Sequence, residues 1–502
     1  MSRRYLMGVD IGTSSSKGML VGETGEVVAS HTVEHALSLP KPGWAEHDPE
    51  AVWWHDFLEI VRSLLESSRV NPHQIGGLGI STISPAVVAV GEDGRALRPA
   101  ILYGIDTRAT AEMAELEGLT GANLSSQSAA PKVLWIRRHE PEVWQKTRQI
   151  VNGSGYMNLK LTGNATIDIY DAAGFAPFFD LKTLDWDPGL AERIAPVEWM
   201  PRPTWTAEIA GQVTDQAARG TGLAAGTPVI TGTADAGAEA VSAGLAQTGD
   251  MMIMYGSSTF FILKTDRHTP STHFWGGPFL EPGTYSVAGG TTAAGSLTRW
   301  FRDQFGFSEM EIQKAGGEDA YVALARLAEG SPVGSNGLVV LPYFYGERTP
   351  IHDPGARGML FGLTLSHTRG DIYRAVLESV GYAVRHNLEA MHSEGLHPTR
   401  LLAVGGGTKN PAWMQMVCDI AGISQVIPAR QLGARYGDAF LAGVGVGWFA
   451  NTGEISRWHT QARILQPDAG RHAGYQEYYR IYRELYENNA ELMHRLGGLS
   501  GA

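Results

Sequence analysis

Residues 5–21 read YLMGVDIGTSSSKGMLV, two mostly apolar runs on either side of a small polar turn. The first run ends at Ile11, the turn occupies Gly12–Ser16, and the second run starts at Lys17. Short apolar runs bounded by Gly, Ser and Thr are typical of strands joined by tight turns. A further turn at Gly22–Gly25 precedes more apolar residues, so we predict that the chain opens with a β-meander.

The same pattern returns near the middle of the chain. Met251–Tyr255 is apolar, Gly256–Thr259 is small and polar, and Phe260–Leu263 is apolar again. Two such hairpins half a chain apart favour an internal duplication, in which each hairpin opens one domain. The alternative is a pair of unrelated hairpins, which any large α/β protein contains.

Chain length also favours two domains, because 502 residues exceed what one hydrophobic core usually serves. We place the boundary near Gln247–Asp250, which gives domains over residues 1–247 and 248–502. A cleft between them is expected, with the two small-residue turns facing each other across it. The fold class is therefore predicted to be α/β, with two domains.

Composition limits the classes of function. A formal net charge of −12 argues against a nucleic-acid binder, since phosphate backbones are held largely by clustered Lys and Arg. No stretch approaches the roughly 20 apolar residues of a membrane span, so no membrane association is expected. Cys418 is the only cysteine, and we expect a buried, inert thiol in a cytoplasmic protein. Whether the chain forms a homodimer stays open.

A further turn, rich in glycine, follows a predicted strand at Arg400–Val404. The strand runs into Gly405–Gly407, and Asn410 then has the character of a helix N-cap, with Pro411 at the first helical position. Strand, glycines and helix N-terminus together predict a place where a ligand approaches the backbone closely.

Phosphoryl transfer needs backbone donors for the phosphates, a carboxylate near magnesium and a base beside the accepting hydroxyl. Asp10 ends the first predicted strand, and a carboxylate beside a tight turn is suited to holding a magnesium-bound water. Thr13, Ser14 and Lys17 are then candidates to meet the phosphates. An ordinary turn built from Asp and Gly is the alternative.

Asp235 is the candidate base. It lies within residues 229–244, where Ala, Gly, Thr and Ser let a substrate come close and give a buried carboxylate little structural purpose. A positioned aspartate can accept the hydroxyl proton as the oxygen attacks. The alternative is that Asp235 caps a helix starting near Ala236, and the two roles are compatible. His47, next to Asp48, lacks metal-ligand spacing and is interpreted as part of a turn.

With these candidates identified, the chain resembles the FGGY carbohydrate kinases over nearly its whole length. The C-terminal signature of that family is matched at Gly358, Gly362, Leu363, Asp371, Ile372, Ala375, Val376, Leu377 and Glu378. A GWxExDPxxW stretch is matched at Gly43, Trp44, Glu46, Asp48, Pro49 and Trp53. The N-terminal signature is matched in part, at Pro131, Lys132, Val133, Trp135, Ile136 and His139, with Ala129 departing from it. Residues 341–350, LPYFYGERTP, are similar to the corresponding segment of xylulokinases.

The resemblance implies a two-domain actin-like ATPase (ribonuclease H-like) fold, with ATP and Mg²⁺ required for activity. It makes Asp235 the catalytic base and Asp10 the magnesium-associated carboxylate. It also implies that the first domain binds the sugar and that the second mainly binds ATP.

The same resemblance assigns the nucleotide contacts. The turns at Gly12 and Gly256 become two phosphate loops, the second including Ser257 and Ser258. The adenosine site is formed by Gly405, Gly406 and Asn410.

The sugar pocket departs from the family pattern. Xylulokinases typically carry a Met and His pair where Ser84 and Pro85 stand, and Ala236 replaces an amide residue after the catalytic aspartate. The family's LWxDxR segment is one residue longer before Asp106. Ser84, Asp106 and Arg108 remain candidate substrate contacts, because carboxylates and guanidinium groups bind sugar hydroxyls well. A surface ion pair between Asp106 and Arg108 is the alternative.

We therefore predict an ATP-dependent kinase for a small sugar or polyol, with a ketopentose such as xylulose as the first expectation. Other ketoses and polyols, including glycerol and erythritol, stay open as acceptors. Two other classes also stay open: an actin-like ATPase that phosphorylates no acceptor, and a sugar sensor without turnover.

Overall fold

The structure is a computed structural model and describes residues 3–459 and 461–500. Its strands are β1 (Tyr5–Ile11), β2 (Ser15–Gly22), β3 (Val27–Glu34), β4 (Glu46–His47), β5 (Ile75–Thr82), β6 (Val88–Val90), β7 (Ala100–Ile101), β8 (Gln149–Val151), β9 (Thr166–Asp168), β10 (Phe179–Asp180), β11 (Asp185–Trp186), β12 (Arg202–Thr204), β13 (Ile209–Gln212), β14 (Pro228–Ile230), β15 (Thr233–Ala234), β16 (Asp250–Tyr255), β17 (Thr259–Thr265), β18 (Trp275–Pro278), β19 (Tyr285–Gly289), β20 (Val339–Leu341), β21 (Met359–Phe361), β22 (Arg400–Val404), β23 (Gln425–Pro428) and β24 (Ala462–Leu465).

The α-helices are α1 (His55–Ser68), α2 (Thr110–Thr120), α3 (Ala130–His139), α4 (Pro141–Lys146), α5 (Gly153–Thr162), α6 (Ile169–Ala172), α7 (Asp215–Thr221), α8 (Asp235–Ala243), α9 (Gly295–Phe305), α10 (Phe307–Lys314), α11 (Ala320–Glu329), α12 (Arg369–Ser393), α13 (Pro411–Ala421), α14 (Ala434–Gly445), α15 (Ala469–Gly474) and α16 (Gln476–Ser500). None of the helices within the described residues combines the length and apolarity that a bilayer-spanning segment requires.

The chain divides into two compact units. The first unit comprises Met1–Ala246, Gly277–Tyr285 and Leu432–Thr460, and the second comprises Gln247–Gly276, Ser286–Gln431 and Gln461–Ala502. The units therefore differ from the two continuous domains predicted above, because two later segments pack with the first unit. The longer of these segments carries α14, which lies against β1, β5 and α8.

The sheet of the first unit has the strand order β13-β14-β5-β1-β2-β3, and β15 also pairs with β5. Strands β1, β2 and β3 form the predicted antiparallel meander. Strand β1 pairs in parallel with β5, which also runs parallel to β14 and β15. The carboxyl ends of β1, β5 and β15 therefore meet at one edge, which is where parallel sheets usually place ligand sites.

The sheet of the second unit has the order β18-β19-β17-β16-β22-β23-β24. Strand β16 is antiparallel to β17 and parallel to β22, which runs parallel to β23. In both sheets the first strand thus lies between its hairpin partner and a parallel strand from much later in the chain. This shared topology supports the internal duplication over the pair of unrelated hairpins.

Helix α1 shows how the apolar pattern forms the core of the first unit. Its buried side chains include Phe57, Ile60, Val61 and Leu64, spaced so that they share one face of the helix. This face covers β2, where Gly18 leaves room for the Ile60 side chain, since a Cβ there would lie 2.1 Å from Ile60 Cγ2.

Helix α16 is rich in Tyr and Glu and packs on the outside of the second unit, with only a few of its side chains buried. Its buried side chains include Tyr479, Tyr482 and Met493, and they pack with Tyr343 and Tyr382 in a core cluster of the second unit. The tyrosine rings supply apolar area while their hydroxyls find partners, as in the 2.8 Å hydrogen bond between Tyr343 and Tyr482.

Cys418 lies fully buried in α13, as predicted. Burial raises the pKa of its thiol to about 12, so the thiolate form is not populated near neutral pH. The residue is an inert part of the core.

Helix α14 contacts β1 backbone to backbone, and Gly8 permits this approach. A Cβ at Gly8 would lie 1.9 Å from the carbonyl oxygen of Arg435 and 2.5 Å from the amide nitrogen of Ala439. We expect Gly8→Ala to lower the unfolding free energy by about 1–3 kcal/mol or more, because two backbones must separate. Thermal or urea unfolding measures the change.

Gly118→Ala is the matched control for this substitution. Gly118 lies exposed in α2 with open space around its Cα, so alanine is expected to stabilise the helix by roughly 0.5–1 kcal/mol. Equal effects of the two substitutions would contradict the close contact at Gly8.

Candidate functional site

Asp10 lies at the edge of the first sheet where the parallel strands end. Its partners in register are Lys17 on β2 and Ser81 on β5. Burial raises the pKa of its carboxyl to about 6, although Lys17 and Arg435 act in the opposite direction. Asp10 Oδ1 is buried and accepts no hydrogen bond from any residue that the structure describes. This oxygen is therefore free to accept from a ligand.

Asp235 is the first residue of α8, directly after β15. The backbone N–H of Ala236 donates to Asp235 Oδ1 at 2.7 Å, and the residue in the N-cap position is Ala234. Burial raises the pKa of Asp235 to about 7, and the charge of Asp10 adds to this effect. The predicted base is therefore held at the helix start, with a pKa in the range that suits proton transfer near neutral pH.

Two further acids share this edge of the sheet. Burial raises the pKa of Glu239 in α8 to about 7, and burial together with Asp10 raises the pKa of Asp438 in α14 well above its usual value. Asp438 Oδ2 accepts the hydroxyl hydrogen of Ser81 at 2.7 Å. Lys17 and Arg435 are the cations that lower the pKa of Glu239. With all four acids ionised the cluster would carry excess negative charge, which favours a cationic ligand.

Sequence analysis missed Glu239, Arg435 and Asp438. Asp438 lies among Gly437, Ala439 and other small residues, the same signal that identified Asp235. Its proximity to Asp10 depends on α14 returning to the first sheet, which local sequence does not reveal.

The segment Gly12–Ser16, here called the first loop, contains the turn between β1 and β2 and the first two residues of β2. The N–H of Gly12 donates to the carbonyl of Ser15 at 3.0 Å, and the hydroxyls of Thr13 and Tyr103 lie 3.0 Å apart. Burial raises the pKa of Tyr103, and Asp235 contributes to the rise. Tyr103 thus links the first loop to the surroundings of Asp235, another contact that sequence analysis did not anticipate.

Ser84 follows β5 and contacts a second group of acids. Its hydroxyl donates to Asp171, which also accepts a hydrogen bond from the Asn152 side chain. Burial raises the pKa of both Asp171 and its neighbour Asp168, and the charge of Asp171 contributes to the shift at Asp168. Asp171 also raises the pKa of Asp235. Ser84, a predicted substrate contact, therefore lies beside acids that surround the candidate base.

Asp106 and Arg108 are buried and paired with each other. Asp106 Oδ2 accepts from the Ala45 backbone N–H at 2.7 Å and from Arg108 Nη2 at 2.6 Å, while Oδ1 accepts from Arg108 Nε at 3.0 Å. The Arg108 guanidinium lies 3.9 Å from the centroid of Trp44, and each charged side chain is at most 1% exposed. Their hydrogen-bonding groups are used within the protein, so the geometry favours a buried structural ion pair over the predicted substrate contact.

The second unit contains the turn Gly256–Ser258, here called the second loop. The carbonyl of Gly256 accepts from Gly295 N–H, and the carbonyl of Ser257 accepts from Ala294 N–H and Ser296 N–H, all at 2.9 Å. Backbone amides at the start of α9 therefore fix the positions of the second-loop carbonyls.

Arg348, from the segment similar to xylulokinases, holds the first residue of β17, directly after the second loop. Its Nη2 donates to the carbonyls of Thr259 at 3.1 Å and Thr291 at 2.8 Å. This segment thus has a clear structural purpose next to the loop.

The glycine turn after β22 has the predicted form. Gly405 has φ +92°, and a Cβ there would lie 2.9 Å from the carbonyl oxygen of Tyr255. Gly406 has open space around its Cα. Asn410 caps α13 by accepting from Trp413 N–H at 3.0 Å, with Pro411 first in the helix. The turn therefore leaves room for a ligand at Gly406 and at the helix N-terminus.

Comparisons with known proteins extend along nearly the whole chain. Residues 5–242 match the N-terminal domain of the FGGY family of carbohydrate kinases, and residues 251–446 match its C-terminal domain. The xylulose kinase of Escherichia coli (strain K12) is 30% identical over 97% of this chain and 99% of its own. The gluconokinase of Bacillus subtilis (strain 168) is 28% identical over 96% of this chain and 94% of its own. The crystal structure of the xylulose kinase from Rhodospirillum rubrum superposes with a TM-score of 0.88 and 32% identity, covering 98% of this chain and all of that one.

Replacing Asp235 by Asn tests the raised pKa of this carboxyl through protein stability. The folded-state pKa of about 7 lies above the ordinary value of 3.8, so between these values the folded protein holds a proton that the unfolded chain has released. Stability is therefore lost as the pH rises through this window, and an amide avoids the loss. We expect Asp235→Asn to raise the unfolding free energy at pH 8 by on the order of 1–4 kcal/mol, with the gain vanishing near pH 4.

Unfolding midpoints of both proteins at the two pH values measure this difference. Asp215→Asn is the matched control, because Asp215 also begins a helix, α7, but is exposed. A gain at Asp235 that is the same at both pH values would contradict the raised pKa.

Proposed function

The chain belongs to the FGGY family of carbohydrate kinases, and we propose that its acceptor is a ketopentose such as xylulose. Membership makes the protein a phosphotransferase that uses ATP and an alcohol acceptor, and its fold is the two-domain actin-like ATPase fold of that family. The ketopentose is supported by the xylulose kinases at 30% and 32% identity, each compared over nearly the full chain. The cytoplasmic location stays a prediction.

The environment of Asp235 carries the proposal. Half-buried at the start of α8, Asp235 has one oxygen bound to the Ala236 N–H and a pKa raised to about 7. In the proposed step, Asp235 accepts the proton of a sugar hydroxyl as that oxygen bonds to the γ-phosphorus of ATP. The bond from the γ-phosphorus to the bridging β,γ-oxygen breaks, and ADP leaves with the electron pair.

The nucleotide contacts are proposed on both units. In the first unit, the first loop with Thr13, Ser14 and Lys17 binds phosphate through backbone N–H groups and one ammonium. In the second unit, which takes most of ATP, the second loop binds phosphate. The adenosine contacts of the second unit are Gly405, Gly406 and Asn410.

The residues around Asp10 suit Mg²⁺. Asp10 Oδ1 is buried without a partner among the described residues, and acids outnumber cations around it. The described residues contain no group of three His, Cys, Asp or Glu side chains arranged to hold a metal ion. Mg²⁺ often binds through one or two carboxylates, with water and substrate phosphates completing its coordination. We assign Asp10 as the residue that would hold Mg²⁺ through a bound water. A bound Mg²⁺ would neutralise charge on the phosphates.

The acids near Asp235 favour a neutral acceptor. Asp168 and Asp171 are both buried, and both raise the pKa of Tyr170, as does Asp235. A sugar carboxylate placed among these groups would add one more negative charge where burial already opposes ionisation, whereas neutral hydroxyls add no charge and can hydrogen-bond to the acids. This argues against the gluconate that the name of the Bacillus subtilis relative suggests. We propose that Ser84 and Asp171 contact the acceptor.

Coupled ADP release with MgATP over ketoses, aldoses, polyols and gluconate tests the function. We expect xylulose to raise ADP release strongly, and Asp235→Asn to reduce the sugar-dependent rate by about 100-fold or more, since general bases contribute about 10²–10⁴-fold. Asp215→Asn, at the exposed start of α7, serves as the control and should retain the rate.

Other results of the ADP-release assay would indicate a different function. Sugar-independent ADP release would identify an ATPase, and nucleotide binding without turnover on any acceptor would identify a sensor. Preference for gluconate, glycerol or erythritol would keep the kinase and replace the acceptor.

The pH dependence gives a separate test of the base. Asp235 acts as a base only when deprotonated, so kcat/KM should rise with pH up to about 7 and then level off. Glu239 contributes to the raised pKa of Asp235, so Glu239→Gln should move this limb to lower pH. An unmoved limb in the variant would argue against Asp235 as the titrating group.

A further inference from the structure

Two histidines lie directly beneath the first loop. His47 Nε2 is 3.1 Å from the carbonyl oxygen of Thr13, and His35 Nε2 is 3.1 Å from the carbonyl oxygen of Gly12. The two rings meet edge to face with centroids 4.9 Å apart. Both side chains are buried, His47 at 1% exposure and the His35 side chain at 7%. Neither ring takes part in the proposed proton transfer, so their shared position under the loop has another explanation.

The partners of His47 identify which ring nitrogen carries its hydrogen. The indole N–H of Trp53 donates to His47 Nδ1 at 3.1 Å, so Nδ1 is the acceptor and Nε2 is the donor. The Nε2–H of His47 therefore donates to the Thr13 carbonyl. Burial, with the charge of His35 adding to it, lowers the pKa of His47 to about 4, and the ring keeps this neutral form at pH 7.

His35 is held from its other side by α1. Its Nδ1 lies 2.7 Å from Asp56 Oδ2, an oxygen that also accepts from the Ser16 hydroxyl at 2.7 Å. Asp56 is buried near the start of α1. The carboxylate thus ties His35 and the end of the first loop to a helix that packs in the core.

These contacts determine where the amides of the loop point. In a trans peptide the C=O group and the following N–H point in opposite directions. Holding the carbonyls of Gly12 and Thr13 toward the histidines turns the N–H groups of Thr13 and Ser14 away from them. Within the described part of the chain, neither of these two amides donates a hydrogen bond. Consecutive free amides of this kind bind anions.

The second unit holds the equivalent carbonyls by different means. The second loop follows β16 as the first loop follows β1, so Gly256 and Ser257 correspond to Gly12 and Thr13. Their carbonyls accept from backbone amides at the start of α9, at 2.9 Å. Both copies of the duplicated hairpin therefore anchor the same two carbonyls, and the first unit uses histidine side chains to do so.

We propose that His47 and His35 are positioning residues that orient the amides of Thr13 and Ser14 to bind the phosphates of ATP. This inference rests on the proposed function, because it takes ATP as the ligand of the first loop. Neither histidine touches the nucleotide, since each acts through a backbone carbonyl.

A purely structural role would have different consequences. Loss of packing or of a hydrogen bond lowers the unfolding temperature and the fraction of active protein, which reduces the apparent kcat and leaves KM unchanged. Loss of amide orientation weakens the binding of phosphate-bearing ligands specifically. The separation of KM from kcat therefore distinguishes the two roles.

The test compares His47→Phe with His47→Gln. Phenylalanine keeps a ring and removes both hydrogen bonds, whereas glutamine has one N–H group to offer the Thr13 carbonyl and one oxygen to accept from Trp53. We expect His47→Phe to raise KM for MgATP about five- to tenfold, the loss of about one hydrogen bond, while KM for the sugar changes less than twofold. His47→Gln should return KM for MgATP to within about twofold of the wild type.

Calorimetry with ligands that do not turn over makes the test independent of catalysis. His47→Phe should weaken binding of the non-hydrolysable analogue AMP-PNP with Mg²⁺ about five- to tenfold and leave adenosine binding unchanged. His31→Phe is the matched control. His31 lies on β3 and, like His35, contacts an acid of α1, but its partner Glu59 lies at the surface. The control substitution should change neither affinity.

Unchanged KM and AMP-PNP affinity in His47→Phe would overturn the proposal, as would equal losses for AMP-PNP and adenosine. Failure of the proposed function is distinguishable from this. A wild-type protein that phosphorylates no sugar refutes the kinase assignment, while the ratio of AMP-PNP to adenosine affinity still decides the role of His47.

Discussion

The close contact between α14 and the central strands of the first sheet is the constraint on which the site depends. A Cβ at Gly8 would lie 1.9 Å from the carbonyl of Arg435, and one at Gly79 would lie 2.3 Å from the carbonyl of Asp438. Such an approach of helix backbone to strand backbone is open only to glycine. It places Arg435 and Asp438 beside Asp10, although they are more than 400 residues apart in the chain. The charge balance of the site is therefore produced by long-range packing.

That packing also determines the protonation of the site. Asp10 is buried and Asp235 and Glu239 are partly buried, and burial raises the pKa of each to about 6 or 7. Ionising all of them costs free energy in the unliganded protein, so the cluster opposes stability at high pH. The same arrangement provides a base that is available near neutral pH and an unpartnered oxygen on Asp10 for a cationic ligand. The burial of these acids therefore explains both the availability of a base near neutral pH and the free-energy cost of ionising the site.

The parts of the site that depend on residues close together in the chain could be predicted from the sequence. Asp10 near a strand end and Asn410 as an N-cap follow from short-range rules of turns and caps, and the structure has both there. Asp235 lies at a helix start as expected, but as the first helical residue, and Ala234 takes the N-cap position. The roles of Asp10 and Asp235 in transfer stay predictions that the environment of each supports.

Partners brought together by distant packing were not predictable in this way. Asp106 and Arg108 have the composition of a sugar contact, yet a backbone amide from residue 45 and the ring of Trp44 complete a buried ion pair. His47 was interpreted as a turn residue, and its neighbour Asp48 does accept hydrogen bonds from the next turn. The place of His47 beneath the first loop depends instead on β4, which pairs with β7 in a separate two-stranded sheet. Side-chain type alone does not reveal whether a polar group faces a ligand or a carbonyl.

The duplicated hairpins show why this distinction bears on function. Each loop consists of residues small enough for a ligand to approach, but small residues do not by themselves hold one conformation. In the second unit, backbone amides at the start of α9 bind the loop carbonyls, and Arg348 binds the carbonyl of Thr259 next to the loop. In the first unit, the corresponding carbonyls face His35 and His47. The groups that bind these carbonyls come from outside each hairpin. The loop residues themselves can therefore remain small, which leaves space for a ligand. Changes in phosphate affinity can therefore arise at residues that never touch phosphate.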